Sequence, residues 1–113
     1  MSRAIQQSEF FWNDMVKQVD WYRDNASPEI AEQFVLAVET TLRTLAETPG
    51  LGRPRFKDWL ELQGIHSWGV QGPYHRFLVF YRFTDKNLIA ERLIHGARDL
   101  GRRLLESPSD SGD

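Results

Sequence analysis

The sequence predicts an α+β domain of two layers, in which an N-terminal helical hairpin packs on one face of a three- to four-stranded antiparallel sheet. Apolar residues recur at helical spacing through the first half of the chain, whereas apolar and aromatic runs of strand length occupy the second half. A Ser-Pro pair divides the helical half into two segments. The resulting order, β-α-α-β-β-β, favours two helices on one side of the sheet.

The first helix is predicted to run from Glu9 to about Asp24, after a short first strand within residues 2–7. Ser8 can cap this helix because its hydroxyl accepts a hydrogen bond from an amide of the first turn. Glu9 follows in the first turn, where the helix dipole favours negative charge. The stripe that would face the core consists of Phe11, Met15, Val19 and Tyr22.

The second helix is predicted to begin at Pro28, with Ser27 as its cap, and to end at Thr48-Pro49-Gly50. Proline suits the first helical position because the amide hydrogen that it lacks would have no partner there. The short link between the helices predicts an antiparallel hairpin. The core-facing stripe of this helix consists of Ile30, Phe34, Ala37, Val38, Thr41, Leu42 and Leu45.

The stretch from Arg76 to Phe83 is predicted to be the middle strand, because its apolar residues fall on both alternating faces. Turn-forming residues at 85–87 then lead into a return strand over Leu88–Ile94. Glu91 and Arg92 are predicted to point to opposite faces of that strand, since side-chain direction alternates. A further strand is predicted over residues 65–70.

The length of 113 residues predicts one domain, over residues 1–106, followed by a polar and acidic tail over 107–113 that we expect to be disordered. The chain has no cysteine, which excludes disulfides, a thiol nucleophile and thiolate metal ligands. It lacks an apolar run of signal-peptide or membrane-spanning length. A cytoplasmic protein without cofactor, metal site or membrane contact is therefore expected.

Charge is distributed unevenly along the chain, although the formal net charge is only −2. Residues 1–50 carry four basic and eight acidic side chains, whereas residues 51–106 carry ten basic and six acidic ones. The second half can therefore attract phosphates or an acidic partner. The same distribution would also arise by chance on two solvated faces.

Three stretches resemble the ParE/RelE superfamily of toxins from type II toxin–antitoxin systems. Residues 21–55 are similar to the helical hairpin that ends in the family's P-x-L-G-R-P-R loop. Residues 74–83, YHRFLVFYRF, are similar to the family's Y-R-I-x-Y-R strand. Residues 93–100, LIHGARDL, resemble the V-L-H-G-A-R-D ending of the ParE branch, so the resemblance is closer to that branch.

The resemblance implies a small toxin that a cognate antitoxin, ParD-like or other, binds and neutralises. Likeness to ParE implies that the toxin arrests growth by binding DNA gyrase, without catalysis of its own. Likeness to RelE implies instead an endoribonuclease that cleaves mRNA in the ribosomal A site. A third alternative is a toxin-fold binding protein that is not toxic.

An endoribonuclease would need a base for the 2′-hydroxyl, cations for the phosphate and an acid for the leaving oxygen. The residues available for these roles are His95, Arg82, Arg76 and Glu91. His95 lies near the position where the ribonuclease branch places its acid, and Glu91 could be the base. A structural role for His95, hydrogen-bonded at the end of a strand, is the competing interpretation.

The basic side chains of the second half could also bind an acidic antitoxin segment or the target. A guanidinium group suits this role because its planar fork matches a carboxylate through two hydrogen bonds. The groove beside the helical hairpin and an unpaired sheet edge are the expected contact surfaces. The candidate binding residues are Arg53, Arg55, Arg82, Arg92, His95, Arg98, Arg102 and Arg103.

Overall fold

The structure, a computed structural model, describes residues 2–96. Its helices and strands follow the predicted order, with one additional short strand after the second helix. Short 3-10 turns occupy Pro49–Leu51, Leu60–Leu62 and Gly72–Tyr74. The main elements are β1 (Ala4–Gln7), α1 (Glu9–Asn25), α2 (Pro28–Glu47), β2 (Arg53–Pro54), β3 (His66–Gly69), β4 (Phe77–Phe83) and β5 (Asn87–His95).

Both predicted helix starts are confirmed in detail. The Ser8 hydroxyl accepts a hydrogen bond of 3.0 Å from the Phe11 amide at the start of α1. The Ser27 hydroxyl accepts one of 3.1 Å from the Ile30 amide at the start of α2, next to Pro28. These local hydrogen bonds satisfy amides that have no partner inside the helix, so they fix where each helix begins.

The sheet has five strands in the order β1-β5-β4-β3-β2 and is mixed rather than purely antiparallel. β1 runs parallel to β5, whereas the other neighbouring strands are antiparallel. The fifth strand, β2, is the two-residue Arg53–Pro54, a stretch that resembles a loop in the sequence. After the helical hairpin, β2 runs opposite to β1, and the three reversals from β2 to β5 bring β5 beside β1 in the same direction.

The main core lies between the helical hairpin and one face of the sheet. Most residues of the two predicted stripes are buried there, although Val19, Tyr22 and Ile30 are only half-buried. Phe34 is fully buried and packs against Tyr22, Tyr74 and Phe77, with ring centroids 5.1 to 5.3 Å apart. This aromatic cluster joins α1, α2 and β4, and it fixes the hairpin on the sheet.

The opposite face of the sheet, which we call the open face, is partly covered by the loop between β2 and β3. Phe80 and Ile94 of the sheet are buried here with Leu62 and Ile65 from this loop. The middle strand β4 is therefore packed on both sides, as its apolar pattern predicts. The cover is a loop rather than a regular element, and it leaves part of the open face exposed.

A β-bulge in β5 corrects the prediction that Glu91 and Arg92 point to opposite faces. Phe80 pairs with Arg92, but the next residue, Tyr81, pairs with Ala90, so Glu91 is the extra residue. An extra residue shifts the alternation of side chains by one position. Glu91 and Arg92 consequently line one cavity, and Glu91 lies on the opposite face from His95, although simple alternation would put these two residues on the same face.

Several expectations concern residues outside the described range. The acidic tail over 107–113, the end of the predicted domain at 106, and the binding candidates Arg98, Arg102 and Arg103 all lie beyond residue 96. Within residues 2–96, neither α1 nor α2 combines the length and the apolar composition that crossing a bilayer requires.

Candidate functional site

The four residues predicted for an endoribonuclease do not form one site. Arg82 pairs with Ile89 in the sheet and His95 pairs with Phe77, so the two sites lie five positions apart along β4. At the rise of an extended chain, this separation is about 17 Å. His95 packs edge-on against the Phe77 ring of the main core, whereas Arg82 contacts the loop on the open face. The predicted acid and its predicted cation therefore lie on different faces.

Arg82 binds the loop between β2 and β3. Its guanidinium group donates one hydrogen bond to the Gln63 carbonyl and another, of 3.1 Å, to the Glu61 carbonyl. The remaining nitrogen, Nε, lies 3.6 Å from a carboxylate oxygen of Glu91. All three nitrogens of the Arg82 guanidinium are thus engaged within the chain. The group holds a loop in place, and it is not presented to a phosphate in this conformation.

His95 lies at the edge of an aromatic cleft of about 390 Å³ between the end of α1 and the start of β4. The other lining residues are Gln18, Trp21, Tyr22 and Phe77. The imidazole is exposed, and its Nδ1 lies 3.1 Å from the Gly96 carbonyl. Among the residues described here, no carboxylate contacts the imidazole, and this includes Glu91, the candidate base.

Arg76 lies just before β4 at the same end of the sheet as His95. Its side chain is exposed and makes no hydrogen bond or ion pair within residues 2–96. Its carbonyl accepts a 2.7 Å hydrogen bond from the Gly96 amide, which closes the end of the β4–β5 pair. The Arg76 side chain is thus available for binding, and Arg76 immediately precedes Phe77, which pairs with His95 in the sheet.

Arg53 and Arg55 lie at the β2 edge of the sheet. Arg53 is exposed, while Arg55 is half-buried and donates a 3.3 Å hydrogen bond to the Ser67 hydroxyl. The Arg55 guanidinium also lies 5.3 Å from the centre of the Phe56 ring. Since Ser67 pairs with both Arg53 and the open-face residue Phe80, these cations belong to the open face. They can meet an acidic partner there.

Arg92 is a buried structural cation rather than an exposed binding residue. Its side chain is 6% exposed and forms a forked pair with Asp14 of α1, with nitrogen–oxygen distances of 2.8 and 3.1 Å. Asp14 also accepts a 2.9 Å hydrogen bond from the Leu93 amide. α1 therefore closes the edge of β5 beyond the point where β1 ends. Asp14 has no motif around it, so the sequence offered no signal for this role.

Tyr81 is a second residue that sequence analysis missed. It is fully buried, and its hydroxyl accepts a 2.9 Å hydrogen bond from the Gly52 amide and donates one of 2.5 Å to the Pro49 carbonyl. Burial raises the pKa of Tyr81 above the ordinary 10.0, while the hydrogen bond from Gly52 partly lowers it. Tyr81 therefore ties the loop after α2, which carries Arg53, to the middle strand.

Because the pKa of Tyr81 is raised, the fold should lose stability at alkaline pH. The folded chain holds the phenol proton more tightly than the unfolded chain, so stability is complete below the unfolded pKa of about 10 and falls as the pH rises through the folded pKa. Urea titrations across this range should show a steeper loss in the wild-type chain than in Tyr81→Phe. Equal slopes would contradict the assignment. Burial also raises the pKa of Tyr22, so some loss of stability at alkaline pH should remain in Tyr81→Phe.

Within residues 2–96, no three His, Asp or Glu side chains come together as ligands for a metal ion. The described chain also contains no carboxylate–imidazole pair in a cleft, and its arginines are divided among separate places. The surface it offers instead is a set of binding positions. These are the aromatic cleft at His95, the exposed Arg76 at the same end of the sheet, and the open face with Arg53 and Arg55.

Two solved structures are similar to this fold. One is described as a chromosomal ParDE toxin–antitoxin system from P. aeruginosa, with a TM-score of 0.65, 16% identity, and coverage of 85% of this chain and 98% of that chain. The other is described as the toxin–antitoxin complex RelBE2 from Mycobacterium tuberculosis, with a TM-score of 0.56, 19% identity, and coverage of 84% and 92%. The chain therefore has a ParE/RelE-like fold.

The particular family follows from the sequence. A profile described as the ParE toxin of the type II toxin–antitoxin system, parDE, matches residues 5–100. Since this match spans most of the chain, the protein belongs to the ParE toxin family of type II toxin–antitoxin systems. No match is found among curated proteins. The resemblance in the three sequence stretches is thus confirmed at the level of the family.

Proposed function

We propose that this toxin acts by binding DNA gyrase, and that a cognate antitoxin neutralises it by covering the surface that gyrase needs. The observation that supports binding over catalysis is the separation of the predicted catalytic groups. Cleavage through the 2′-hydroxyl needs a base, an acid and a phosphate-binding cation within hydrogen-bond reach of one phosphodiester. Here His95 and Arg82 lie on different faces, about 17 Å apart along the sheet.

The partner side of the proposal is supported by the exposed cations and by the family. Arg53 and Arg76 are exposed, and both lack partners within the described chain. An acidic antitoxin segment can pair with such groups through its carboxylates. The similar solved structures are toxin–antitoxin pairs by their descriptions, which favours an antitoxin of the ParD or RelB type as the partner.

Gyrase supercoiling with the purified chain tests this proposal. We expect the chain to block supercoiling of relaxed plasmid at micromolar excess, and we expect the product of the neighbouring reading frame to restore activity. A parallel ribosome assay should show intact mRNA. Codon-positioned cuts that disappear in His95→Ala would instead establish a RelE-like endoribonuclease. Normal supercoiling, intact mRNA and normal growth on induction would identify a non-toxic binding protein.

A further inference from the structure

The segment Phe56–Gly64 closes on itself as a compact loop over the open face. Its two ends meet, since the Arg55 amide donates a 2.9 Å hydrogen bond to the Ile65 carbonyl. The first and last residues of the segment both have positive φ, 54° at Phe56 and 87° at Gly64. A bulky aromatic residue rarely adopts such a backbone angle, and such strain often marks segments that move.

Few contacts hold this loop on the sheet. The guanidinium group of Arg82 donates to two of its carbonyls, at Glu61 and Gln63. The Phe56 ring stacks on Phe80 with centroids 6.3 Å apart, and Leu62 fills the space beside Ile94. The loop has no strand pairing of its own between its ends. It is therefore attached by the Arg82 guanidinium, by two apolar side chains and, at its last residue, by the Gly64 carbonyl, which lies 3.2 Å from Nδ1 of His66.

The surface beneath the loop combines apolar and basic groups. Phe80 and Ile94 are at most 3% exposed while the loop covers them. Arg55 and Arg82 lie beside them on the same face, and the Glu91 carboxylate lies 3.6 Å from Nε of Arg82. Lifting the loop would remove Glu61 and expose an apolar patch with excess positive charge. Such a patch fits a segment in which a carboxylate stands between apolar side chains.

The loop itself already shows the chemistry of such an occupant. Residues 58–63 read Asp-Trp-Leu-Glu-Leu-Gln, an acidic and apolar sequence, and one of its leucines, Leu62, is the buried anchor. Leu60 is 77% exposed and Trp59 is 40% exposed, so much of the apolar surface of this segment stays in contact with solvent in the closed state. Nη1 and Nη2 of Arg82 donate to two separate loop carbonyls. A single carboxylate could accept from both nitrogens through two parallel hydrogen bonds.

We propose that Phe56–Gly64 is a hinged cover over a docking surface, and that the occupant of this surface is an acidic–apolar segment of the antitoxin. This inference rests on the proposed function for the identity of the partner. In the closed state the loop occupies the surface with its own Leu62 and its own carbonyls. The antitoxin segment displaces the loop, places an apolar side chain on Phe80 and Ile94, and presents a carboxylate to Arg82.

Hydrogen exchange on the purified chain tests the hinge without any partner. In Gly64→Ala, the new Cβ stands at a φ of 87° and 3.1 Å from Nη1 of Arg82, so the closed loop is disfavoured. We expect the amides of Trp59, Leu62 and Ile65, which close the turns of this loop, to exchange at least tenfold faster than in the wild type. Unchanged exchange would overturn the hinge.

Gly72→Ala is the matched control. Gly72 has a similar φ of 71°, but a Cβ there meets nothing within 4 Å and the residue lies in another loop. It carries the same backbone strain without touching Arg82. We expect its exchange at 59–65 to equal that of the wild type. Arg82→Met supplies a second variant, and it should open the same amides while the amides of α2 keep their protection.

Binding of a synthetic peptide tests the docking surface. The probe is a labelled peptide copy of residues 58–63, and the control is the same peptide with Glu61→Gln. The peptide should bind more tightly to a chain whose loop is already lifted, because the free energy of lifting the loop no longer reduces the apparent affinity. We expect the probe to bind Gly64→Ala at least tenfold more tightly than the wild type, and the Gln peptide to lose at least tenfold. Equal affinities in either comparison would overturn the docking surface.

The two proposals can fail separately. Faster exchange and peptide binding in Gly64→Ala would stand even if the chain did not inhibit gyrase. Conversely, a chain that inhibits gyrase could show a loop whose amides exchange equally in all variants. In the complex with the neighbouring gene product, the indole signal of Trp59 should shift if the loop is displaced. An unshifted signal would place the antitoxin elsewhere and overturn the proposed occupant.

Discussion

Replacing Asp14 with alanine is expected to lower the free energy of unfolding by about 3–5 kcal/mol, because it leaves the Arg92 guanidinium buried without its carboxylate. Asp14 is 9% exposed at its side chain and accepts hydrogen bonds from two nitrogens of Arg92 and from the Leu93 amide. The loss combines a stranded charge with an unpaired strand amide. Urea unfolding followed by circular dichroism would measure it, with an unchanged m-value.

Asp20→Ala on the same helix is the matched control. Asp20 also pairs with an arginine, Arg23, but both side chains are about half exposed. An exposed pair of this kind contributes at most about 1 kcal/mol. Equal losses in the two variants would show that the Asp14 pair has no special role. Replacing Asp14 with Leu and Arg92 with Met together should recover most of the stability, since no charge is then stranded.

The Asp14–Arg92 pair also illustrates the limit of sequence reasoning for this chain. The two residues are 78 positions apart, and neither belongs to an apolar stripe or a recognisable motif. Their pairing depends on α1 crossing the edge of β5, which follows from tertiary packing alone. Helix starts were predictable because a cap is a contact between residues three positions apart. Contacts across the sheet carry no such local signal.

In the candidate site, too, local patterns were predictable from the sequence, whereas relations between strands were not. The apolar pattern of Phe77–Phe83 correctly predicted a middle strand packed on both faces. The relation between Glu91 and His95 could not be predicted, since one extra residue at the bulge reverses every later side chain of β5. The family resemblance was carried by short stretches with fixed spacing. It therefore identified the toxin class, but it did not show which arginines are exposed.

Gly52→Ala is expected to be the most damaging change in the loop that follows α2, with a loss of about 3 kcal/mol. A Cβ at Gly52 would lie 2.2 Å from the Tyr81 hydroxyl oxygen and 2.8 Å from the Ser67 carbonyl oxygen. The carbonyl belongs to a strand and cannot move aside. Any shift of the loop also breaks the hydrogen bond from the Gly52 amide to Tyr81, whose hydroxyl then lacks a donor.

Gly50→Ala separates the steric effect from a general effect of removing glycine. Gly50 is exposed and lies two positions before Gly52, and a Cβ added to it would meet nothing within 4 Å. The stability of Gly50→Ala should stay within about 0.5 kcal/mol of the wild type.

Since Gly52 immediately precedes Arg53, a displaced loop also moves that exposed cation, so Gly52→Ala should weaken antitoxin binding more than its stability loss alone explains. Arg53→Ala measures that contribution directly, and wild-type affinity in both variants would exclude this loop from the antitoxin interface.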